Sequence, residues 1–318
     1  MRNRIPFGPV PSRRLKSSLG INHIPPKICT YSCIYCQIGK TLKLTNKRQS
    51  FYDPEEINRQ VKKKIKELKE KKERIDYLSF VPDGEPLLDI NLGKEIDLLK
   101  ELGIPIAVIS NGTFLTSKKA REELSKADWV SLKIDAVTEE IWKRINRPHP
   151  DIILKDVLNG MIKFSAEYRG NLNTETMIVD KINDHEEEIK YIAEFIGQIN
   201  PDKAYIAVPT RPPHCKWVKS PEEKVINTAY NIFKEIIENV ELLLGYARSQ
   251  FAQSVNIKND ILDITAVHPM TEEDLKELLS KSNEDWEVVY QLIEEGEVIE
   301  IEHGNKRFYM RALTSRSK

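Results

Sequence analysis

Residues 29–36 read Cys29-Thr30-Tyr31-Ser32-Cys33-Ile34-Tyr35-Cys36. The spacing C-x3-C-x2-C suits three thiolates gripping a [4Fe–4S] cube from one short loop, and it leaves the fourth iron without a protein ligand. An open iron can chelate a small molecule, which turns an electron-transfer centre into a catalyst. Two other readings of the triplet compete. A zinc knuckle closes its shell with four ligands, and only His23 lies near these cysteines in sequence. A disulfide framework needs an oxidising compartment and an export signal, and the basic, proline-broken N-terminus has no apolar core segment.

Outward from this loop the chain alternates strands with helices. A short strand near residues 19–22 precedes it. Asp53-Pro54-Glu55-Glu56 opens a long helix to about residue 72, with a capping Asp and a proline in the first turn. Strands are expected at 76–80, 106–109, 129–134, 172–179, 204–208 and 240–244. Helices at 91–102, 117–126, 139–145, 152–167, 184–198 and 221–239 separate them. Repeated β-α units predict a parallel sheet with right-handed crossovers.

A cysteine loop of this pattern after the first strand, with Tyr35 before the last cysteine, resembles the radical S-adenosylmethionine (SAM) superfamily. The resemblance implies an α/β fold, a partial (β/α)6 TIM-like barrel. It also implies a cluster held by Cys29, Cys33 and Cys36, with SAM's amino and carboxylate groups on the vacant iron. Reactive groups of parallel barrels gather at the C-terminal ends of the strands. Val81-Pro82-Asp83-Gly84-Glu85-Pro86 ends the second strand and is similar to the family's Gly-Gly-Glu-Pro segment, with Asp83 in place of the first glycine. By resemblance Tyr35, Gly84, Glu85 and Pro86 lie at SAM. Ser110-Asn111-Gly112-Thr113 is similar to the Ser/Thr-Asn-Gly found after the next strand, which puts Ser110 and Asn111 against a ribose or carboxylate.

Alternation sorts the strand that follows. Val130, Leu132 and Ile134 face one way, and Ser131, Lys133 and Asp135 face the other. If the apolar set packs on outer helices, the polar set enters the barrel. A lysine there must meet a carboxylate such as Asp135 or Glu85, or a ligand. Glu175 is a further lumen candidate. In Val208-Pro209-Thr210-Arg211-Pro212-Pro213-His214-Cys215, Val208 or Pro209 can pack on adenine, and Arg211 can hold a phosphate or carboxylate. Cys215 beside His214 can donate a hydrogen atom, carry a group covalently or join a second metal; it can also be a small buried hydrophobe. Lys133, Glu175 and Cys215 are the catalytic candidates.

Charge divides the chain. Its 318 residues carry 49 basic and 49 acidic side chains. Residues 1–50 nonetheless hold Arg2, Arg4, Arg13, Arg14, Lys16, Lys27, Lys40, Lys43, Lys47 and Arg48 without one Asp or Glu. Such a basic arm beside the cluster loop favours a polyanionic partner, with Arg13 and Arg14 as substrate contacts; the alternative is a solvated arm balanced by acidic helices. Phe7-Gly8-Pro9-Val10-Pro11-Ser12-Arg13-Arg14, Arg144-Ile145-Asn146-Arg147-Pro148 and Thr210-Arg211-Pro212-Pro213 resemble a subgroup related to the wyosine-type tRNA base enzymes. Wyosine formation uses a second cluster on further N-terminal cysteines, and no cysteine precedes Cys29. That argues for a relative acting on another substrate.

The organisation expected is a barrel over residues 1–254 and a small module over 255–318. In the latter, helices at 260–267, 271–280 and 284–295 precede two strands at 298–302 and 307–311, meeting at His303-Gly304-Asn305. Three helices and a hairpin read as a winged helix. Glu284, Asp285, Glu287, Glu294 and Glu295 on its candidate recognition helix repel phosphates, so a peptide or protein partner or a lid fits better than DNA. No stretch approaches the ~18–20 apolar residues of a membrane span. Four cysteines and no secretory signal point to a reducing cytoplasm. The resemblance adds a low-potential donor, ferredoxin or flavodoxin, and a 5′-deoxyadenosyl radical that abstracts hydrogen from a substrate; the basic first fifty residues and the wyosine kinship put an RNA base first, and the acidic winged helix puts a protein or peptide second. A non-enzymatic redox or zinc scaffold is contradicted by the matched Gly-Glu-Pro and Ser-Asn-Gly segments.

Overall fold

The apolar halves of the strands choose the architecture. Leu19, Ile21, Leu78, Phe80, Ile106, Val108, Val130, Leu132, Ile134, Leu172, Ala204 and Ile206 share one continuous buried core with the helices that cover them. A computed structural model describes residues 5–81, 83–243, 257–267, 270–303 and 306–311. The chain opens with strands β1 (Pro6–Ser12), β2 (Lys16–Ile21), β3 (Ile28–Cys29) and β4 (Lys43–Leu44). Helix α1 (Pro54–Glu70), β5 (Tyr77–Phe80), a 3-10 turn at Pro86–Leu88, α2 (Leu92–Lys100), β6 (Ile106–Ser110), α3 (Lys118–Leu124) and β7 (Trp129–Lys133) follow. Then come α4 (Glu139–Asn146), α5 (Leu154–Glu167), β8 (Asn171–Met177), α6 (Glu186–Ile199), β9 (Lys203–Ala207), α7 (Glu223–Ile236) and β10 (Val240–Leu243).

One sheet runs in the order β1-β2-β5-β6-β7-β8-β9-β10. Every pair is parallel except β1 with β2. The parallel run was expected, and it is the α/β arrangement of a partial TIM-like barrel. The hairpin was not: residues 6–21 were read as a basic arm entering one short strand. Phe7 and Val10 bury, and the Phe7 ring lies against Gly20, where a side chain would displace it. Pro6, Pro9 and Pro11 are tolerated because β1 is an edge, where missing N–H groups cost least. The β1–β2 turn drops Leu15 onto Ala107, Trp129 and Tyr205 at the N-terminal ends of β6, β7 and β9. That apolar layer closes the floor of the barrel.

The last part has its own apolar cluster. Helices α8 (Ile257–Val267), α9 (Glu272–Ser282) and α10 (Glu287–Glu294) enclose Ile261, Leu275, Leu278, Val289 and Leu292 with β11 (Met270–Thr271), β12 (Val298–His303) and β13 (Lys306–Arg311). The strands form an antiparallel sheet in the order β11-β13-β12. Thr271 and Asp274 make the expected reciprocal cap on α9. Helix α10 starts at Glu287, later than read; just ahead of it the Asp285 side chain accepts from the Glu287 N–H at 2.9 Å. Gly304 and Asn305 of the expected turn lie outside the described residues.

Candidate active site

The loop after β2 is pinned on four sides. Lys27 N–H donates to the Asp83 carbonyl at 2.6 Å, and Ile28 bridges Gly84. A Cβ on Gly84 would collide with the Ile28 carbonyl, so the glycine is what lets the two backbones meet. On the other side Thr45 N–H reaches the Cys29 carbonyl at 3.1 Å. The end of α4 captures the middle: Ser32 N–H bonds the Asn146 carbonyl at 3.0 Å, and Ile34 N–H bonds that of Ile145 at 2.9 Å. Finally Cys215 N–H donates to the Ile34 carbonyl at 2.9 Å. Tyr31 and Ile34 anchor the loop among Ile141, Trp142 and Ile145.

The three cysteines stay partly exposed. Burial of the sulfurs, then the charges of neighbouring cysteines and carboxylates, pushes the Cys29 thiol well up and the Cys33 thiol to about 12; burial first also lifts Cys36. Such thiols ionise only when a cation takes the charge. Amide donors already address the sulfurs: Asn146 Nδ2 lies 3.5 Å from Cys33 Sγ, and Asn111 Nδ2 lies 4.0 Å from Cys29 Sγ. Donors of this kind support ligating thiolates and tune an iron–sulfur cluster. Among the described residues no three His, Cys, Asp or Glu groups converge on a single ion. A cube needs no such convergence, since each thiolate takes a different iron. His23 is no fourth zinc ligand: it is fully buried, with Nε2 3.1 Å from the Pro86 carbonyl and its ring edge-on to Phe80. Burial pulls its pKa to about 4 and keeps it neutral.

Glu85 is 2% exposed. Its carboxylate accepts from Ser110 Oγ at 2.6 Å, Asn111 N at 2.8 Å and Leu87 N at 3.0 Å. Burial raises its pKa to about 7 against the pull of these donors. The side chain ties the ends of β5 and β6 together, and the Gly84–Pro86 backbone carries the loop contact. Asn111 continues the tie through Nδ2 to Thr30 Oγ1 at 2.7 Å.

Inside the sheet Lys133 stands opposite Glu175 in the β7–β8 register and donates to it at 2.7 Å. Arg14, reaching up from the floor turn, donates to the same carboxylate. Lys133 Nζ also lies 3.7 Å from Asp135 and 5.2 Å above the Tyr35 ring. Asp135 accepts from the Tyr35 hydroxyl, from Asn146 Nδ2 at 2.7 Å and from Met177 N at 2.9 Å. A column of two cations and two carboxylates thus links the floor to the cysteine loop. Burial, opposed first by Asp135, holds the Lys133 ammonium below its usual pKa; burial likewise brings Arg14 down to about 10. Ser131 Oγ faces this column, fully buried and without a hydrogen-bond partner.

The remaining expected residues divide between the floor and the cysteine loop. Arg14 is an internal ion-pair partner, and Arg13 on the same floor turn feels Glu241, so neither stands at the mouth of the barrel. Val208 and Pro209 are buried at the end of β9, with the Pro209 carbonyl held by Ser220 Oγ at 2.8 Å. Arg211 reaches Gln37 beside the cysteine loop at 3.3 Å. Cys215 packs against the same apolar cluster as Cys29, Cys33 and Tyr35, its sulfur 3.6 Å from Arg147 Nη1. Thr30 and Asn146 carry the loop's polar contacts and had no role in the sequence reading, although Asn146 lies inside a segment singled out there.

A sequence profile described as the Radical SAM superfamily matches residues 24–196, more than half of the chain. The chain belongs to the radical SAM superfamily. Its cofactors are a [4Fe–4S] cluster and SAM, and it is an enzyme. A UPF0026 protein of Methanocaldococcus jannaschii is 48% identical over 316 residues, 99% of this chain and 98% of its own length. Among solved structures, Streptococcus suis SuiB bound to the precursor peptide SuiA is 14% identical with a TM-score of 0.52, over 69% of this chain and 47% of that one. TYW1 with a lysine–pyruvate adduct is 13% identical with a TM-score of 0.46, over 94% and 82%.

Proposed function

We propose that this radical SAM enzyme abstracts hydrogen from a base of an RNA. The observation that carries the chemistry is the trio of part-exposed thiols with amide donors aimed at two of them, at the head of the charged column. Cys29, Cys33 and Cys36 would hold the cluster, which would supply the electron for reductive cleavage of SAM. The chain's own residues hold and shield that chemistry. Gly84, Glu85, Ser110 and Asn111 fix the loop against β5 and β6. Tyr35, Lys133 and Asp135 offer a ring face, an ammonium and a carboxylate side by side, which suits the donor and acceptor edges of a planar heterocycle as well as SAM. Arg14 and Glu175 keep that group electrically balanced from below. Val208 and Pro209 supply an apolar wall for adenine, and Cys215 stands within the same cluster of side chains as a catalytic candidate.

The lumen now recommends RNA more than the arm does. Of the ten cations in residues 1–50, Arg14, Arg48 and Lys27 are spent inside the fold. With the barrel assigned to 1–254 and the small module to 255–318, the described helices α8–α10 and strands β11–β13 suit a winged helix, in a protein of the cytoplasm. A second reading, modification of a peptide, is favoured by a cavity of about 420 Å³ on that module. Glu284, Asp285, Glu287 and Val288 line it, with Lys258 the one basic residue of its lining among the described residues. The test is anaerobic 5′-deoxyadenosine formation with reductant and SAM, with and without small RNA. Stimulation lost after nuclease treatment supports the RNA reading. Cleavage indifferent to RNA but lost on deleting residues 256–318 supports the peptide reading.

A further inference from the structure

The basic stretch beyond Cys36 becomes a strap over the cluster loop. Strand β4 pairs with β3 so that Leu44 stands opposite Cys29. Neighbouring strands lie about 4.8 Å apart, so the strap is one strand's width from a cluster ligand. Thr41 Oγ1 holds it to the Tyr31 carbonyl at 2.7 Å, and Asn46 Nδ2 holds it to Asp151 at 3.2 Å. Its outer face is unusual. Leu42 is 64% exposed and Leu44 37%, between exposed Lys40, Lys43 and Lys47. None of these three lysines makes an ion pair among the described residues. Ile153, 60% exposed, lies in the loop beyond Asp151.

We propose that this strap is the docking surface for a small acidic one-electron carrier protein. It goes beyond the substrate reading and depends on it only in that SAM cleavage needs an electron. Three lines favour this occupant. Lysines alone would serve to protect a strand edge, but the exposed leucines between them invite contact rather than prevent it. An apolar centre in a charged rim is the anatomy of a protein interface, and complementary charge speeds the encounters of transient redox pairs. Residues 37–49 contain no aromatic side chain, whereas single-stranded RNA is gripped by stacking bases on aromatic rings. The carrier would give up one electron and exchange no atom, from a surface adjoining the first cysteine.

The experiment is titration of the full-length protein, with and without reconstituted cluster, against a flavodoxin at low and moderate salt. Lys40→Glu/Lys43→Glu/Lys47→Glu and Leu42→Ser/Leu44→Ser are compared with wild type after melting curves show each folded. We expect at least tenfold weaker binding for the triple variant, a smaller loss for the leucine pair, and wild-type binding that weakens with salt. Dithionite-driven 5′-deoxyadenosine formation should be unchanged in both. In the wild type, flavodoxin should protect amides 40–47 from hydrogen exchange, a readout independent of any substitution. Equal binding by all three proteins, or protection confined to other segments, overturns the proposal. So does a triple variant that loses affinity for an RNA oligonucleotide while keeping the flavodoxin.

Discussion

Replacing Gly84 with alanine should cost the protein its iron while leaving the barrel folded. The new Cβ would lie 2.9 Å from the Ile28 carbonyl carbon and 3.0 Å from Ile24 Cδ1, and closer still to the Ile28 oxygen. Ordinary carbon contacts are about 3.5–4.0 Å, so the backbone of residue 28 must retreat by roughly 0.6 Å or more. A flexible side chain could yield; a carbonyl held between Gly84 and the adjoining Glu85 N–H cannot do so cheaply. Overpacking of this kind costs about 1–3 kcal/mol, and contact with backbone belongs at the upper end. For a domain of 150–250 residues, ~3 kcal/mol lowers Tm by roughly 6–12 °C. The assay pairs melting of the metal-free protein with iron and sulfide content after anaerobic reconstitution. A modest Tm loss with most of the iron gone is the expected result, because the displaced residue adjoins Cys29. Full iron loading at an unchanged Tm would refute the claim that the Gly84 contact sets the loop.

Other parts of the molecule give independent tests. Glu175→Ala leaves Arg14 without its carboxylate and Lys133 with Asp135 alone, which should cost about 3–5 kcal/mol in denaturant titrations. Adding Arg14→Met should recover part of that loss, and no recovery would mean the two cations are not coupled. Glu95 is 1% exposed with both carboxylate oxygens unpartnered, and burial lifts its pKa to about 9. The folded chain therefore keeps a proton that the unfolded chain releases, so stability falls as pH rises from about 4.5 towards 9. Glu95→Gln should melt higher than wild type near pH 7.5, by on the order of 3–4 kcal/mol, with the gap closing near pH 4; melts that track wild type throughout would contradict a neutral Glu95. Thr271→Ala should cost about 1 kcal/mol by removing the cap on α9, seen as faster amide exchange over residues 272–276.

What the sequence disclosed depended on how local the cause was. The cysteine spacing, the Gly84-Glu85-Pro86 turn and the alternation through Ser131, Lys133 and Asp135 are fixed within a few residues, and the structure keeps that alternation, with Val130, Leu132 and Ile134 in the core. The parallel strand order follows from the β-α rhythm. Arg14 was misread because a charge run does not say which of its members find buried partners. Its carboxylate is 161 residues away, reached only because the β1–β2 turn folds under the barrel. The β1 hairpin itself was hidden by three prolines that argue against a central strand and are harmless on an edge. His23 lies close to the cysteines in sequence, but the turn at Pro86 draws it into the core and away from them. Asn146 sits at the end of a helix more than a hundred residues after Cys33, and only tertiary packing brings its amide to that sulfur.

The central claim is that three thiolates hold a cluster whose fourth iron is open to SAM. Electron paramagnetic resonance of the reduced, reconstituted protein tests it, recorded before and after adding SAM for wild type, Cys33→Ala and Cys215→Ala. The account predicts a cluster signal in wild type and in Cys215→Ala that changes on addition of SAM, and its loss in Cys33→Ala. A signal indifferent to SAM, or one that survives without Cys33 and vanishes without Cys215, would contradict it.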